Sequence, residues 1–363
     1  MELDSIRGKV LLLDGDILCY RTALAAEKTR YLVTTANTLT QLDNHKDARA
    51  LSESMPESLV WSRKEDRGEE FARECFDTTI KSILSKAQPS RLEAWVSGTH
   101  NFRYSVAKTR PYKGNRAGDP KPKYLGKCIE WLAEEYEACN AVGEADDEIS
   151  IRSREIGLGQ VVVCSIDKDL LQIPAWHYNW VQDKVFRINH RQADFNLYQQ
   201  ILTGDTTDNI PGLERWGPVK AKAWLEGAES SKDLCKRTWE AYAAAGKGWD
   251  YLMEQADLVY ILRHRDERYT PPYTPSEVMF KQWDERQSTV IGSGSTETLR
   301  NNKKEGSGEL SSSQPQMNYL KARYSVEESP SDTLTVAESL SALEEPPFAT
   351  SPVELKFEPS NEN

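Results

Sequence analysis

The 363-residue chain has no run of 18 uninterrupted apolar residues, so no membrane span is expected. Its six cysteines (19, 75, 128, 139, 164, 235) form no CxxC pair, and no histidine pair stands at zinc spacing. That scatter argues against a disulfide framework and against a zinc site, and leads us to expect reduced thiols in a cytoplasmic protein. A secretory leader is not expected either, because "MELDSIRGKVLLLDGD" runs into acid where a cleavage region should lie. We find no internal repeat.

Apolar residues are also scarce overall, at 38%, and the shortage is concentrated at one end. Residues 290–363 hold six Lys/Arg and twelve Asp/Glu among many Ser, Thr, Pro, Gly and Asn. Such a segment buries too little apolar surface to offset its ordering entropy, so a disordered acidic tail is predicted over 288–363. The tail carries −6 of the net −11, so the rest of the chain is only mildly acidic.

What is present upstream reads as alternating strands and helices. "KVLLL" (9–13), "RLEAWV" (91–96) and "VVVCSI" (161–166) are short apolar strands, and "HYNWVQ" (177–182) is a weaker one. Residues 64–86 predict a helix with Phe71, Phe76, Ile80, Ile83 and Leu84 on one face. Residues 124–137 and the stretch opening at "GEADDEIS" predict two more. "YLVTTANTLTQL" (31–42) reads as a hairpin, and from Leu197 to about Arg265 the pattern is helical. Together these predict an α/β fold with a mostly parallel sheet.

In such sheets, sites gather at the carboxyl ends of the strands. Asp14 and Asp16 end the first strand, and Asp167 and Asp169 follow the 161 strand. Glu144, Asp146 and Asp147 open a helix, and Asp205 and Asp208 lie in "LTGDTTDNIPG". Each group alone is an ordinary turn or an acid favoured by a helix dipole. Four groups in this order, each after an apolar stretch, would repel one another unless cations neutralised them. Hard divalent ions with oxygen ligands, Mg²⁺ or Mn²⁺, suit that donor set.

A second anomaly is basic. Between Arg103 and Lys127 there are eight Lys/Arg and one acid, Asp119, giving +7 in an acidic chain. Tyr104, Tyr112 and Tyr124 are interleaved with them, a composition suited to phosphate contact and base stacking. Further on, "NIPGLERWGPVKAKAWL" reads as a helix-hairpin-helix, with Gly212 and Gly217 in the turn, Pro218 starting a helix, and Lys220 and Lys222 on it.

The ordered set "VLLLDGDILCYRT", "NFRYSVAKTRPYKGNR", "GEADDE", "CSIDKDLLQIP" and "LTGDTTDNIPGLERWGPVKA" resembles the 5′→3′ exonuclease/flap endonuclease family, over roughly residues 9–265. It is most similar to the phage-encoded members. The resemblance implies a PIN-like catalytic domain over 1–195 with a basic arch around 99–127. A helix-hairpin-helix subdomain would follow over 196–287. It implies two Mg²⁺ ions hydrolysing DNA phosphodiesters at 5′ ends or flaps. Asp14, Glu144, Asp146 and Asp147 would serve one ion, and Asp167, Asp169, Asp205 and Asp208 the other. Arg103, Lys113 and Arg116 would guide the scissile strand, with Lys108, Arg110 and Tyr112 beside them on DNA. Gly212, Gly217, Lys220 and Lys222 would grip duplex, with K⁺ as the ion at the hairpin. A phage replication or recombination role would place the chain in an infected bacterial host, with replication proteins as partners of the tail.

The chain departs from the family at one place. An aspartate usual at the end of the second strand is missing from "WVSGTHNFR", where Gly98 or a neighbour stands. Asp16, two residues past Asp14, could partly compensate, but a solvated, outward-facing Asp16 is expected. Two other classes compete: a structure-specific DNA-binding protein without catalysis, and a phosphatase of the haloacid-dehalogenase type. The second leaves the basic stretch unexplained and has Leu18 where its motif calls for threonine.

Overall fold

Val, Leu and Ile runs too short for helices make the centre of the molecule. A computed structural model describes residues 3–35, 37–55, 57–116, 118, 120–276, 279 and 282–283. The elements below all lie in one unit of the chain that reaches Thr274. The predicted acidic tail, 288–363, falls outside the described residues. Among the described residues, no helix is long and apolar enough to cross a membrane. All six cysteines are free thiols.

In chain order the elements are β1 (Val10–Asp14), α1 (Gly15–Ala25), β2 (Glu27–Thr34), β3 (Leu39–Leu42), α2 (His45–Glu53), β4 (Leu59–Asp66), α3 (Glu69–Ala87) and β5 (Arg91–Val96). Then follow α4 (Arg103–Val106), α5 (Leu125–Tyr136), β6 (Cys139–Asn140), α6 (Ala145–Ile156), β7 (Val161–Cys164), β8 (Trp176–Asn179) and β9 (Lys184–Arg187). The last helices are α7 (His190–Thr203), α8 (Pro218–Leu225), α9 (Ser231–Ala244) and α10 (Trp249–Val259).

Six strands form one sheet in the order β6-β5-β1-β7-β8-β9. All its pairs are parallel except the hairpin β8–β9. The expected α/β architecture, a mostly parallel sheet flanked by helices, is the one observed. Because side chains alternate along a strand, Leu11 and Leu13 face one layer and Leu12 the other. Leu11 and Leu13 pack with Leu18, Phe76, Ile80, Ile83 and Leu132 of α1, α3 and α5. Leu12, Val161 and Val163 pack with Ile149 of α6 and with Leu170, Ile173 and Ile261. β1 and β7 are thus covered on both faces, which is why their residues are apolar without alternation.

The predicted hairpin at 31–42 forms as β2–β3, and it has a third strand that the sequence reading missed. β4 pairs antiparallel with β2 over eight residues, from Glu27↔Asp66 to Thr34↔Leu59. Residues 64–66, expected in a helix, are therefore strand. The helix begins only after Gly68, whose φ of 92° breaks the extended run. Every residue of β4 is exposed, so no apolar face marks it as a strand.

Candidate metal centre and nucleic-acid interface

The carboxyl ends of β1 and β7 lie side by side, and short hydrogen bonds lock them together. Asp14, 2% exposed, ends β1. One of its oxygens accepts the Ile17 N–H at 3.1 Å, and the other accepts the Ser165 hydroxyl at 2.7 Å. Ser165 in turn accepts the Asp167 N–H at 2.9 Å. Asp167 accepts the Asp169 N–H at 2.9 Å, and Asp169 accepts the Gln200 amide at 2.5 Å. Asp205, 4% exposed, caps its own loop through Thr207 N–H at 2.8 Å.

Negative charge outweighs its compensation here: Lys168 pairs with Asp205 at 3.2 Å, but Asp14, Asp146, Asp167 and Asp169 have no cation paired with them among the described residues. Burial and then the Asp16 charge push the Asp14 carboxyl up to about 7. Asp146 is raised well above its ordinary value by burial, then by Asp14, Asp167, Glu144 and Asp169. Asp167 and Asp169 are raised by burial, with Asp205 and Asp208 adding repulsion. Asp146, partly exposed at the rim, receives no hydrogen bond among the described residues. In kind this all-oxygen, like-charged set fits a hard divalent cation. In position it is not ready-made: no group of three or more His, Cys, Asp or Glu side chains forms a metal site among the described residues.

Four of the predicted site residues are placed differently from expectation. Arg103, expected to guide the scissile strand, is 3% exposed. Its guanidinium donates to Glu144 at 2.8 Å, to both oxygens of Asp147 at 2.8 and 3.0 Å, and to the Leu258 and Tyr260 carbonyls at 2.9 and 2.5 Å. Every donor direction is spent inside, so no phosphate reaches it. Asp147, expected as a metal ligand, is consumed by the same pair and by the Leu262 N–H at 2.9 Å. Tyr112, expected to stack on bases, is 5% exposed; its hydroxyl donates to Asp208 at 2.7 Å and lies 3.1 Å from both Glu144 oxygens. Gly212, expected to offer its N–H to phosphate, donates it to Gln255 at 3.0 Å. Its φ is 58°, and a Cβ there would meet Gly204 N at 2.3 Å.

The remaining basic residues are more exposed than Arg103. Lys113 bonds Glu144 at 2.5 Å and approaches Asp208 at 3.8 Å. Arg116 bonds Asp208 at 2.6 Å and the Thr207 carbonyl at 2.9 Å. Burial alone would raise the Glu144 carboxyl, but Arg103 and Lys113 hold it below its ordinary value. Lys108 and Arg110 are exposed, as are Gly217, Lys220 and Lys222. The Lys220 ammonium lies 4.2 Å from the Trp216 ring. Gly217 caps α8, and Pro218 opens it.

Asp16 is a correction and an addition. It is half-buried rather than solvated, and both its oxygens accept the Ser97 N–H, at 3.2 and 3.0 Å. Its carboxyl is raised by burial. Next to Ser97, Gly98 has no room for any side chain: a Cβ there would lie 2.0 Å from the Ala141 carbonyl oxygen. An acid at Gly98 is thus excluded by the close approach of 141–143, and the carboxylate beside the end of β5 is that of Asp16, in the first turn of α1. The two-residue spacing of "DGD" was the signal for this. Ser165 and Gln200, which hold Asp14 and Asp169, carry no sequence signal at all.

No family model matches the chain, and no curated protein matches it. Solved structures similar to it include phage T5 5′-exonuclease with zinc bound, 16% identical at a TM-score of 0.47, over 69% of this chain and 88% of that one. The catalytic core of Rad2 in complex with DNA is 13% identical at 0.41, over 80% and 90%. Flap endonuclease-1 from Methanococcus jannaschii is 12% identical at 0.45, over 81% and 96%.

Proposed function

We propose that the chain is a divalent-metal-dependent nuclease that hydrolyses DNA at 5′ ends or flaps. The observation that carries this reading is the crowding of Asp14, Asp146, Asp167 and Asp169 at one sheet edge, with Lys113 and Arg116 laid along the same rim. Asp14, Asp16 and Asp146 would hold one Mg²⁺ or Mn²⁺, and Asp167, Asp169 and Asp205 the other, while Glu144 and Asp208, already engaged by Arg103, Lys113, Arg116 and Tyr112, would serve them through water. Bound there, the ions supply a water of lowered pKa and neutralise the leaving oxygen.

The protein's own groups set up the rest. Lys113 and Arg116 present positive charge beside the position of a reacting phosphate, where charge builds in the transition state. Tyr112 ties Glu144 to Asp208 across the rim, and Arg103 holds Glu144 from behind, so neither acid can swing away. Lys220 and Lys222 hold the duplex through phosphate contacts that carry no sequence information.

The test is a labelled DNA set (5′ overhang, blunt, nicked and flap) incubated with Mg²⁺ or with a chelator. Mg²⁺-dependent cleavage from 5′ ends or at flaps, abolished by Asp167→Ala or Asp169→Ala, is the expected result. Binding without cleavage would replace this reading with that of a structure-specific DNA-binding protein.

A further inference from the structure

One helix, α10, touches both basic elements through adjacent residues. Glu254 is 9% exposed, and its carboxylate faces the start of the basic stretch. One oxygen accepts the N–H groups of Lys108 and Thr109, each at 2.7 Å, and the other accepts the Thr109 hydroxyl at 2.7 Å. The next residue, Gln255, accepts the Gly212 N–H at 3.0 Å, and Tyr251 donates its hydroxyl to the Gly212 carbonyl at 3.0 Å. Just beyond, the Leu258 and Tyr260 carbonyls take the Arg103 guanidinium. α10 therefore holds residues 103, 108 and 109 on one side and the turn before Lys220 and Lys222 on the other.

A buried carboxylate is costly unless its lone pairs are used. Here the basic stretch supplies all three of the hydrogen bonds recorded to Glu254. Only Arg110, Pro111 and Tyr112 separate Thr109 from Lys113. Pro111 has a fixed φ and Tyr112 is buried. The Pro111 carbonyl accepts the Asn209 amide and the Lys113 N–H donates to the Asp208 carbonyl, each at 2.9 Å, so Glu254 fixes the near end of a short link whose far end rests on the 206–209 loop.

We propose that Glu254 is a positioning residue: by fixing residues 108 and 109 it sets Lys113 and Arg116 over the carboxylates. The proposal rests on the nuclease reading above. It is tested with Glu254→Ala, Glu254→Gln, Lys113→Ala and the double variant Glu254→Ala/Lys113→Ala, all checked for matched folding by circular dichroism. The measurements are the saturated single-turnover rate in Mg²⁺, duplex affinity in Ca²⁺, and amide hydrogen exchange at 108–109. Glu254→Ala should slow the saturated rate at least tenfold, keep duplex affinity within about twofold, and speed exchange at the two amides. Glu254→Gln should recover part of the rate, because its amide oxygen still accepts. Lys113→Ala should add less than twofold on top of Glu254→Ala, since the same ammonium is already misplaced. An unchanged saturated rate, unchanged amide exchange, or a double variant that loses the full product of the two single effects would overturn the proposal. Wild-type protein that binds DNA and cleaves none would sink the nuclease reading alone, and amide exchange would still judge the clamp.

Discussion

Replacing Asp14 with asparagine removes one carboxylate from the crowded edge while keeping its shape. The amide oxygen can still accept the Ile17 N–H, and the amide nitrogen can donate to the Ser165 oxygen. The native carboxyl stands at about 7 against an ordinary 3.8, so the folded chain keeps a proton that the unfolded chain has released. The sign follows from proton counting: between those two values the native state binds more protons, so stability falls as pH rises and the whole penalty is present above pH 7. A difference of that size is worth about 4 kcal/mol in full, and about 2 kcal/mol if neighbouring acids take up part of the proton binding. In chelator at pH 8, Asp14→Asn should therefore unfold about 4–16 °C higher than wild type, and the gap should shrink toward pH 4. Adding Mg²⁺ or Mn²⁺ should narrow that gap or close it. A divalent ion at a hundred times its dissociation constant stabilises wild type by about 2.7 kcal/mol, and the variant should gain little of that. Thermal unfolding followed by circular dichroism, in chelator and in metal across pH 4–8, reads all of this. A variant less stable than wild type at pH 8 in chelator, or with an identical pH slope, would refute the picture of mutually repelling carboxylates around Asp14.

Gly98→Ala should lower stability by about 1–3 kcal/mol in urea titrations, since its Cβ overlaps a backbone oxygen that cannot move aside. Arg103→Met leaves Asp147 buried without its cation while Glu144 keeps Lys113, and should cost about 3–5 kcal/mol by the same measurement. The two basic elements should fail differently. Lys113→Ala should lower the saturated single-turnover rate more than duplex affinity. Lys220→Ala should weaken binding and make its salt dependence shallower by about one unit of log–log slope. Equal effects of these two substitutions on both measurements would contradict the division of labour.

Some of this was written in local pattern, and some was not. The apolar runs of β1 and β7 identify buried strands before any contact is known, and the acids that follow them must then stand at the sheet's carboxyl edge. The opening of α6 is just as legible, yet Asp146 and Asp147 are not distinguishable there. Neighbours on a helix point about 100° apart, and only the packed sheet decides that Asp146 faces the cluster while Asp147 faces Arg103. The basic stretch shows the same limit. Its charge and its tyrosines are visible, but Arg103 and Tyr112 are drawn inside by acceptors more than 30 residues away. β4, wholly exposed, has no buried face to reveal its period, and it becomes a strand only because β2 offers an unpaired edge. Periodicity records which face of an element avoids water. Which partner a polar group finds depends on chain segments brought together by folding, and a carboxylate reads the same in sequence whether that partner is a guanidinium, a serine or a metal ion.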